Sequence, residues 1–193
     1  VVESALAYSR EEALEVSRSL SFPMLLRPSY VLGGRAMEIV YSEEQLLAKI
    51  DEALFLSGNY AVIMDRFIED ALEVDVDALS DGENTKIAGI MEQIEEAGVH
   101  SGDSSCVIPA MRIGPEALRK IREYTKRICA EMKIVGLVNI QLAVKGSEVF
   151  VLEVNPRASR TIPYLSKATG HPIAKIAAFL QLGRKLSEFF TDF

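Results

Sequence analysis

The sequence predicts an α+β protein in which amphipathic helices alternate with antiparallel hairpins. Two serine-capped segments indicate helix starts, and a longer segment repeats its apolar residues at helical spacing. Several short apolar segments are separated by turn residues and read as hairpin strands. With 193 residues, 49% of them hydrophobic and 25% charged, the chain suits one large domain or two small lobes.

The helices are predicted from their capping residues and from the spacing of their apolar positions. Ser9 and Ser42 each precede, by three residues, a side chain that can reach back to the helix start, Glu12 and Gln45 respectively. Each serine therefore predicts a helix. Two further helices are predicted at residues 115–132 and 172–183, both beginning with a proline.

The strands are predicted from apolar alternation between turn signals. Predicted hairpins pair residues 24–26 with 37–41, 72–80 with 85–91 and 137–144 with 148–154, and residues 60–67 form one more strand. Gly33 and Gly34, at the tip of the first hairpin, allow the backbone to approach a ligand, with Arg27 and Arg35 supplying positive charge. An ordinary glycine turn is the alternative interpretation.

The composition excludes two classes of partner. Lys and Arg total 21 against 28 Asp and Glu, so the net charge is −7 and no overall basic surface exists to bind nucleic acid. The longest apolar runs, such as residues 135–138 and 149–152, are far shorter than the roughly 20 residues of a membrane span. Two cysteines without a disulfide or metal-ligand pattern, and no secretory leader, favour a cytoplasmic protein.

The last hairpin carries the strongest functional signal. Glu153 and Asn155 are two residues apart on one strand, so their side chains project from the same face. Gln141 lies opposite Glu153 if the turn uses three residues, 146–148. One carboxylate and two amide oxygens are hard ligands of the kind that Mg²⁺ takes, and a solvated sheet edge is the alternative.

Charged residues flank this triplet. Arg157 and Arg160 are three residues apart and can hold an anion beside the metal. On an earlier strand, Glu73, Asp75 and Asp77 share one face and could form a second metal site. For Asp75 and Asp77 a solvent-facing row of carboxylates is the simpler interpretation.

Four segments match a known family over essentially the whole chain. FPMLLRPSYVLGGRA, GVHSGDSS and VLEVNPRASRT followed by SKATG together resemble the ATP-grasp region of the large chain of carbamoyl-phosphate synthase. Two homologous halves make up that large chain, one phosphorylating bicarbonate and the other carbamate. SYVLGGRAMEIVY resembles the carboxyl-terminal, carbamate-phosphorylating half.

The resemblance implies an ATP-grasp fold, in which two α+β lobes with mainly antiparallel sheets clamp ATP between them. We expect the small lobe, with the glycine loop and incomplete at its N-terminus, at residues 1–65. The large lobe, with the metal and substrate site, is expected at residues 66–193.

The nucleotide-binding residues are carried over from the resemblance. Arg27 would contact the ATP phosphates, Arg66 and Ile68 would lie at the adenine hinge, and Glu73 would bind the ribose hydroxyls. The remaining residues expected to line the nucleotide pocket are Gly98, Val99, His100 and Ser101.

The resemblance also assigns the metals and the substrate. Gln141, Glu153 and Asn155 would ligate two Mg²⁺ or Mn²⁺ ions, and Arg157 and Arg160 would hold the carboxylate-type substrate. The resemblance also implies a potassium ion near the loop that contains residues 98–101. Gln93 and Glu96 are named for it only because they occupy the neighbouring stretch of sequence.

The activity implied is ATP-dependent phosphorylation of carbamate to carbamoyl phosphate, in arginine or pyrimidine biosynthesis. The partners implied are the remainder of the large chain and a glutamine amidotransferase small subunit, and we do not expect this fragment alone to have full activity. Three alternatives stay open. They are the bicarbonate-phosphorylating half, another ATP-grasp carboxylate ligase such as a biotin carboxylase-like enzyme, and a non-catalytic nucleotide-binding module.

Overall fold

The computed structural model describes residues 2–29, 37–58, 60–95 and 104–191, and the chain divides into two compact units. Unit 1 is Val1–Glu69 and unit 2 is Asp70–Phe193. The division falls after Glu69, whereas the sequence places it after residue 65. Arg66 and Ile68 therefore belong to the first unit.

Unit 1 is an antiparallel sheet with two helices. Its elements are β1 (Ser4–Ala7), α1 (Arg10–Leu20), β2 (Met24–Pro28), β3 (Glu38–Val40), α2 (Glu43–Ser57) and β4 (Val62–Arg66). The strand order is β1-β4-β2-β3, and every pairing is antiparallel. Ala13 of α1 and Ile50 of α2 pack against Met24, Leu26 and Met64 of the sheet.

Both predicted serine caps are confirmed. The Glu12 amide donates to Ser9 Oγ at 3.2 Å, and the Gln45 amide donates to Ser42 Oγ at 3.3 Å. Glu12 accepts a bond from the amide of Tyr8, one residue before the cap, at 2.8 Å. Gln45 does the same one residue before its own cap, at 2.9 Å. Each side chain thus fixes the entry of the chain into its helix.

Unit 2 is a five-stranded sheet covered on both faces. Its elements are β5 (Leu72–Asp81), β6 (Thr85–Gln93), β7 (Cys106–Val107), α3 (Pro115–Glu131), β8 (Val135–Lys145), β9 (Glu148–Asn155), α4 (Ile162–Thr169), α5 (Ile173–Gln181) and a 3₁₀ helix (Leu186–Glu188). The strand order is β7-β6-β5-β8-β9, again antiparallel throughout. The α+β class with mainly antiparallel sheets is confirmed.

The two faces of this sheet pack against different helices. On one face, Ala117 and Ile121 of α3 contact a core that includes Val76 and Ile140. On the other face, Leu79 of β5 is buried in a second core together with residues of α4, α5 and the 3₁₀ helix. Polar side chains occupy another part of that second face, and they form the candidate site described below. Among the described residues, no helix is both long and apolar enough to cross a membrane.

Gly89 allows α4 to approach the sheet closely. It lies on β6 opposite Asp77, and a Cβ built there falls 2.5 Å from Leu165 Cδ2 and 2.9 Å from Ile108 Cδ1. Leu165 is fully buried, so its side chain has little room to move away. Any larger residue at this position therefore requires Leu165 and Ile108 to shift within the core.

Replacing Gly89 by Ala is expected to lower the free energy of unfolding by about 1–3 kcal/mol, the usual range for an overpacked core. Chemical denaturation of the chain measures this loss. In a Leu165→Val background, which shortens the opposing side chain, the same substitution should cost less. An equal cost in both backgrounds would contradict the contact between Gly89 and Leu165.

Candidate active site

A β-bulge at Leu152 sets the register of the polar face. The hairpin turn has two residues, since Lys145 pairs with Glu148. With no irregularity this turn would place Leu152 opposite Gln141. The register shifts between Gln141 and Leu142, however, so Gln141 pairs with Glu153 and Leu152 is left over, 48% exposed.

The expected pairing of Gln141 with Glu153 is therefore confirmed, but the three-residue turn assumed for it is wrong. A bulge adds the residue that the turn lacks. The core residues of β9 show the same shift, because Val149, Val151 and Val154 pack towards α3 at spacings of two and then three. Without the bulge, Glu153 would point into that apolar core.

Two rows of polar side chains cross three strands of the sheet. Asp75 pairs with Gln141, which pairs with Glu153. The second row is formed by Asp77, Asn139 and Asn155 in the same way. Paired residues on adjacent strands share a face, with Cβ atoms about 5 Å apart. The face thus carries three carboxylates and three amides within two residues of strand length.

Burial increases across this face from β9 to β5. Glu153 is exposed, Gln141 and Asn155 are partly buried, and Asp75 and Asp77 are buried. The interpretation of Asp75 and Asp77 as solvent-facing carboxylates is wrong. The loop after β9 and the start of α4 fold over this part of the sheet, which β5 alone does not reveal.

The buried carboxylates are satisfied by hydrogen bonds. Asn139 Nδ2 donates to Asp77 Oδ1 at 3.1 Å and, more weakly, to Asp75 Oδ1 at 3.3 Å. Gln93 Nε2 donates to Asp75 Oδ2 at 2.6 Å. Ser159 and Thr161 donate their hydroxyls to Asp77. Such bonding is what a buried carboxylate requires.

Burial raises the pKa of Asp77 above its usual value. Three hydrogen bonds, from Thr161, Ser159 and Asn139, act in the opposite direction, and the negative charge of Asp75 adds to the increase.

The segment after β9, residues 156–161, forms one wall of a concave site and is called the arginine loop below. The site encloses about 250 Å³. Its lining residues are Asp75, Asn139, Gln141, Arg157, Ala158, Ser159, Arg160 and Thr161. Both predicted substrate arginines are thus brought together with Gln141. Among the described residues, Glu153 and Asn155 lie on the same sheet face but outside this lining.

The donor set on the face fits a hard divalent cation. Gln141, Glu153 and Asn155 can coordinate a metal only through their side-chain oxygens, and no group of three His, Cys, Asp or Glu in the described part of the chain is arranged to hold a metal. A metal here would therefore take amide oxygens together with one exposed carboxylate. Oxygen-only sites that keep several water ligands are typical of Mg²⁺ bound with phosphates.

A second group of oxygen atoms lies near the end of β6. The side-chain oxygens of Gln93 and Ser104 are buried and have no hydrogen-bond partner within the described residues. A buried amide oxygen and a buried hydroxyl without partners in the described residues call for a further donor, an ordered water or an ion.

Glu92, next to Gln93, is bound firmly. Its carboxylate accepts bonds from the amides of Met111 and Arg112 and from the Arg112 guanidinium. Burial alone would raise the pKa of Glu92, but these bonds outweigh it and the pKa lies below its usual value. Arg112 also donates to the Gln93 carbonyl at 2.8 Å, which ties this end of β6 to the segment before α3.

The residues predicted for the nucleotide lie in both units. In unit 1, Arg27 Nε donates to Asp65, an ion pair between β2 and β4. Arg66 is exposed, with Nη1 3.8 Å from Glu3 Oε2, and Ile68 is partly buried after β4. In unit 2, Glu73 is buried on β5.

Several predicted site residues lie outside the described residues. They are Gly33, Gly34, Arg35, Glu96, Gly98, Val99, His100 and Ser101.

Three polar residues of the site are missed by the sequence interpretation: Asn139, Ser159 and Thr161. A signal for Asn139 exists, because it alternates with apolar residues at the same period as Gln141. No comparable pattern marks Ser159 and Thr161. Their contacts with Asp77 span more than 80 residues of sequence.

The fold is the ATP-grasp fold. Solved structures with this fold include a biotin carboxylase complex from Campylobacter jejuni, at a TM-score of 0.83 and 17% identity over 96% of this chain and 43% of that one. The biotin carboxylase domain of Hydrogenobacter thermophilus 2-oxoglutarate carboxylase gives a TM-score of 0.76 and 20% identity over 96% and 42%. At these identities the similarity concerns the fold.

The chain belongs to the carbamoyl-phosphate synthase L chain, ATP binding domain family, whose model matches residues 1–189. The carbamoyl phosphate synthase large chain of Archaeoglobus fulgidus is 58% identical over 186 residues, 96% of this chain and 17% of that protein. The C-terminal section of the Methanocaldococcus jannaschii large chain is 52% identical over 191 residues, 99% of this chain and 31% of that protein. The chain therefore spans less than a third of these relatives.

Proposed function

We propose that this chain is the ATP-grasp region that phosphorylates carbamate, forming carbamoyl phosphate and ADP. The observation that carries the proposal is that Gln141, which pairs with Glu153, lines one concave site with Arg157 and Arg160, in a member of this family. The 52% identity to a C-terminal section supports the carbamate half over the bicarbonate half.

Glu153, Gln141 and Asn155 are the residues that we assign to the metal. Mg²⁺ or Mn²⁺, when bound, neutralises phosphate charge during phosphoryl transfer. The exposed carboxylate of Glu153 is free to turn towards solvent and a nucleotide, while Gln141 contributes an amide oxygen from the neighbouring strand. Asn155 lies directly before the arginine loop, so the proposed metal ligands and the proposed substrate arginines meet at the end of β9.

Arg157 and Arg160 hold the anionic substrate in this proposal. Both are exposed and line the concave site, so their guanidinium groups are accessible to a small carboxylate. Attack of a carboxylate oxygen on a phosphate brings two negative charges together. Fixed guanidinium groups oppose that repulsion and orient the attacking oxygen.

The nucleotide contacts are proposed for residues of both units. Asp65 accepts from Nε of Arg27, so we assign the terminal nitrogens of this guanidinium to the ATP phosphates. Arg66 and Ile68 are assigned to adenine, and Glu73 to the ribose. Gly98, Val99, His100 and Ser101 are assigned to the nucleotide as well.

Two further proposals concern the potassium ion and the partners. The unpartnered oxygens of Gln93 and Ser104 support a K⁺ site at the end of β6. The remainder of the large chain, and a glutamine amidotransferase that supplies ammonia, are the proposed protein partners.

A partial reaction tests which half this chain represents. ATP formation from ADP and carbamoyl phosphate is the proposed step in reverse. In a full-length large chain, Gln141→Ala should reduce this ATP formation at least tenfold and leave bicarbonate-dependent ATP hydrolysis within twofold. Ser147→Ala, in the adjacent hairpin turn, is the control and should change neither rate. The opposite pattern would assign the chain to the bicarbonate half.

A further inference from the structure

We infer that Asp77 is a positioning residue that anchors the arginine loop to the sheet. The inference rests on the proposed function, since it concerns how Arg157 and Arg160 are held. Asp77 itself lies in the middle of β5 and is fully buried, so it has no access to substrate. Its effect is transmitted through the residues that it binds.

The loop is fastened to Asp77 at two points. Ser159 Oγ donates to Asp77 Oδ2 at 2.8 Å, and Thr161 Oγ1 donates to the same oxygen. The two hydroxyl oxygens lie 2.7 Å from each other. Ser159 stands directly before Arg160 and two residues after Arg157. Fixing this serine therefore restricts the backbone from which both arginines project.

The side chain of Thr161 binds Asp77 and does not cap its own helix. It is the N-cap residue of α4, a position at which threonine commonly accepts a bond from an amide of the first helical turn. The side chain makes no such bond here, and its hydroxyl turns to Asp77, 84 residues away in sequence. The contact thus ties the start of α4 to the sheet.

The carboxylate is held on its other side by the sheet. Asn139 Nδ2 donates to Asp77 Oδ1 at 3.1 Å from the neighbouring strand β8. One oxygen of Asp77 therefore faces the strand that carries Gln141, and the other faces the arginine loop. The carboxylate fixes the loop relative to the proposed metal-binding strands.

A purely structural role is a less satisfactory explanation for this group. An apolar residue of similar size at a fully buried sheet position generally stabilises a protein at least as well as a buried carboxylate. Buried polar groups that bind distant segments instead select one arrangement of those segments. A single arrangement of two adjacent arginines is what in-line transfer requires.

The experiment removes the loop side of the anchor and leaves Asp77 in place. A full-length large chain with Ser159→Ala and Thr161→Val is assayed for ATP formation from ADP and carbamoyl phosphate. We expect kcat/KM for carbamoyl phosphate to fall at least tenfold, with KM for ADP within twofold. A variant that combines Ser159→Ala with Thr161→Ser, and so keeps one of the two hydroxyls, should recover part of the loss.

Two comparisons make the outcome decisive. Thr125→Val removes another buried threonine hydroxyl, bound within α3 to the Ile121 carbonyl, and should leave both KM values unchanged. Arg157→Ala reports on the proposed function separately. If Arg157→Ala abolishes the reaction while the double variant retains it, the anchor is refuted. Equal increases in both KM values, following the loss of thermal stability, would also refute it. If Arg157→Ala has no effect, the proposed function itself fails.

Discussion

Replacing Glu153 by Gln in the full-length large chain is expected to lower the rate of ATP formation from ADP and carbamoyl phosphate by about 100-fold or more. The substitution keeps the shape of the side chain and removes the negative charge that attracts a divalent cation. A 100-fold loss corresponds to about 2.7 kcal/mol of transition-state stabilisation. Glu153 is exposed, so the thermal midpoint of unfolding should stay unchanged.

The control for this prediction lies on the same strand. Glu148 is an exposed carboxylate at the other end of β9, beside the hairpin turn, and Glu148→Gln should leave the rate within twofold. Raising the Mg²⁺ or Mn²⁺ concentration should partly restore Glu153→Gln. Full activity of Glu153→Gln at low Mg²⁺ would overturn the metal assignment.

Replacing Arg157 by Ala is expected to reduce kcat/KM for carbamoyl phosphate by about 100-fold to 1000-fold, the usual cost of losing a group that stabilises transition-state charge. KM for ADP should change little. Arg157→Lys keeps the positive charge but loses the two-pronged geometry that matches a carboxylate or phosphate, so we expect an intermediate loss.

Arg119→Ala provides the matched control, because Arg119 is an exposed arginine on α3 whose guanidinium lies 3.8 Å from Glu123. Its removal should leave kcat/KM for carbamoyl phosphate and KM for ADP within twofold of their original values. A loss confined to KM for ADP in Arg157→Ala would place this arginine on the nucleotide instead of the substrate.

Local signals predicted most of the fold. Serine caps, prolines and apolar spacing act over a few residues, and they located α1, α2, α3 and α5. Period-two alternation located the longer strands. The elements that escaped prediction are β1, β7, α4 and the 3₁₀ helix, which have four, two, eight and three residues. Segments this short carry little periodicity, and their structure depends on packing against distant parts of the chain.

For the candidate site too, the sequence predicted the relations between nearby residues but not those that depend on distant segments. Glu153, Asn155 and Arg157 lie within five residues, so their relation follows from strand geometry. The burial of Asp75 and Asp77 depends on the arginine loop, which is about 80 residues further along the chain. Composition and spacing on β5 therefore could not distinguish a solvated acidic face from a hydrogen-bonded one.

Because of the bulge at Leu152, the number of residues between the hairpin turn and Glu153 decides which side chains of this strand face the candidate site. If one residue between the Gly146 turn and Glu153 were removed and the bulge kept, the two faces of the strand end would be exchanged, with Val154 opposite Gln141 on the site and Asn155 directed towards the α3 core. Removing or adding two residues would keep the faces. Natural variation in the length of this hairpin should therefore occur in steps of two, or be accompanied by loss of the bulge.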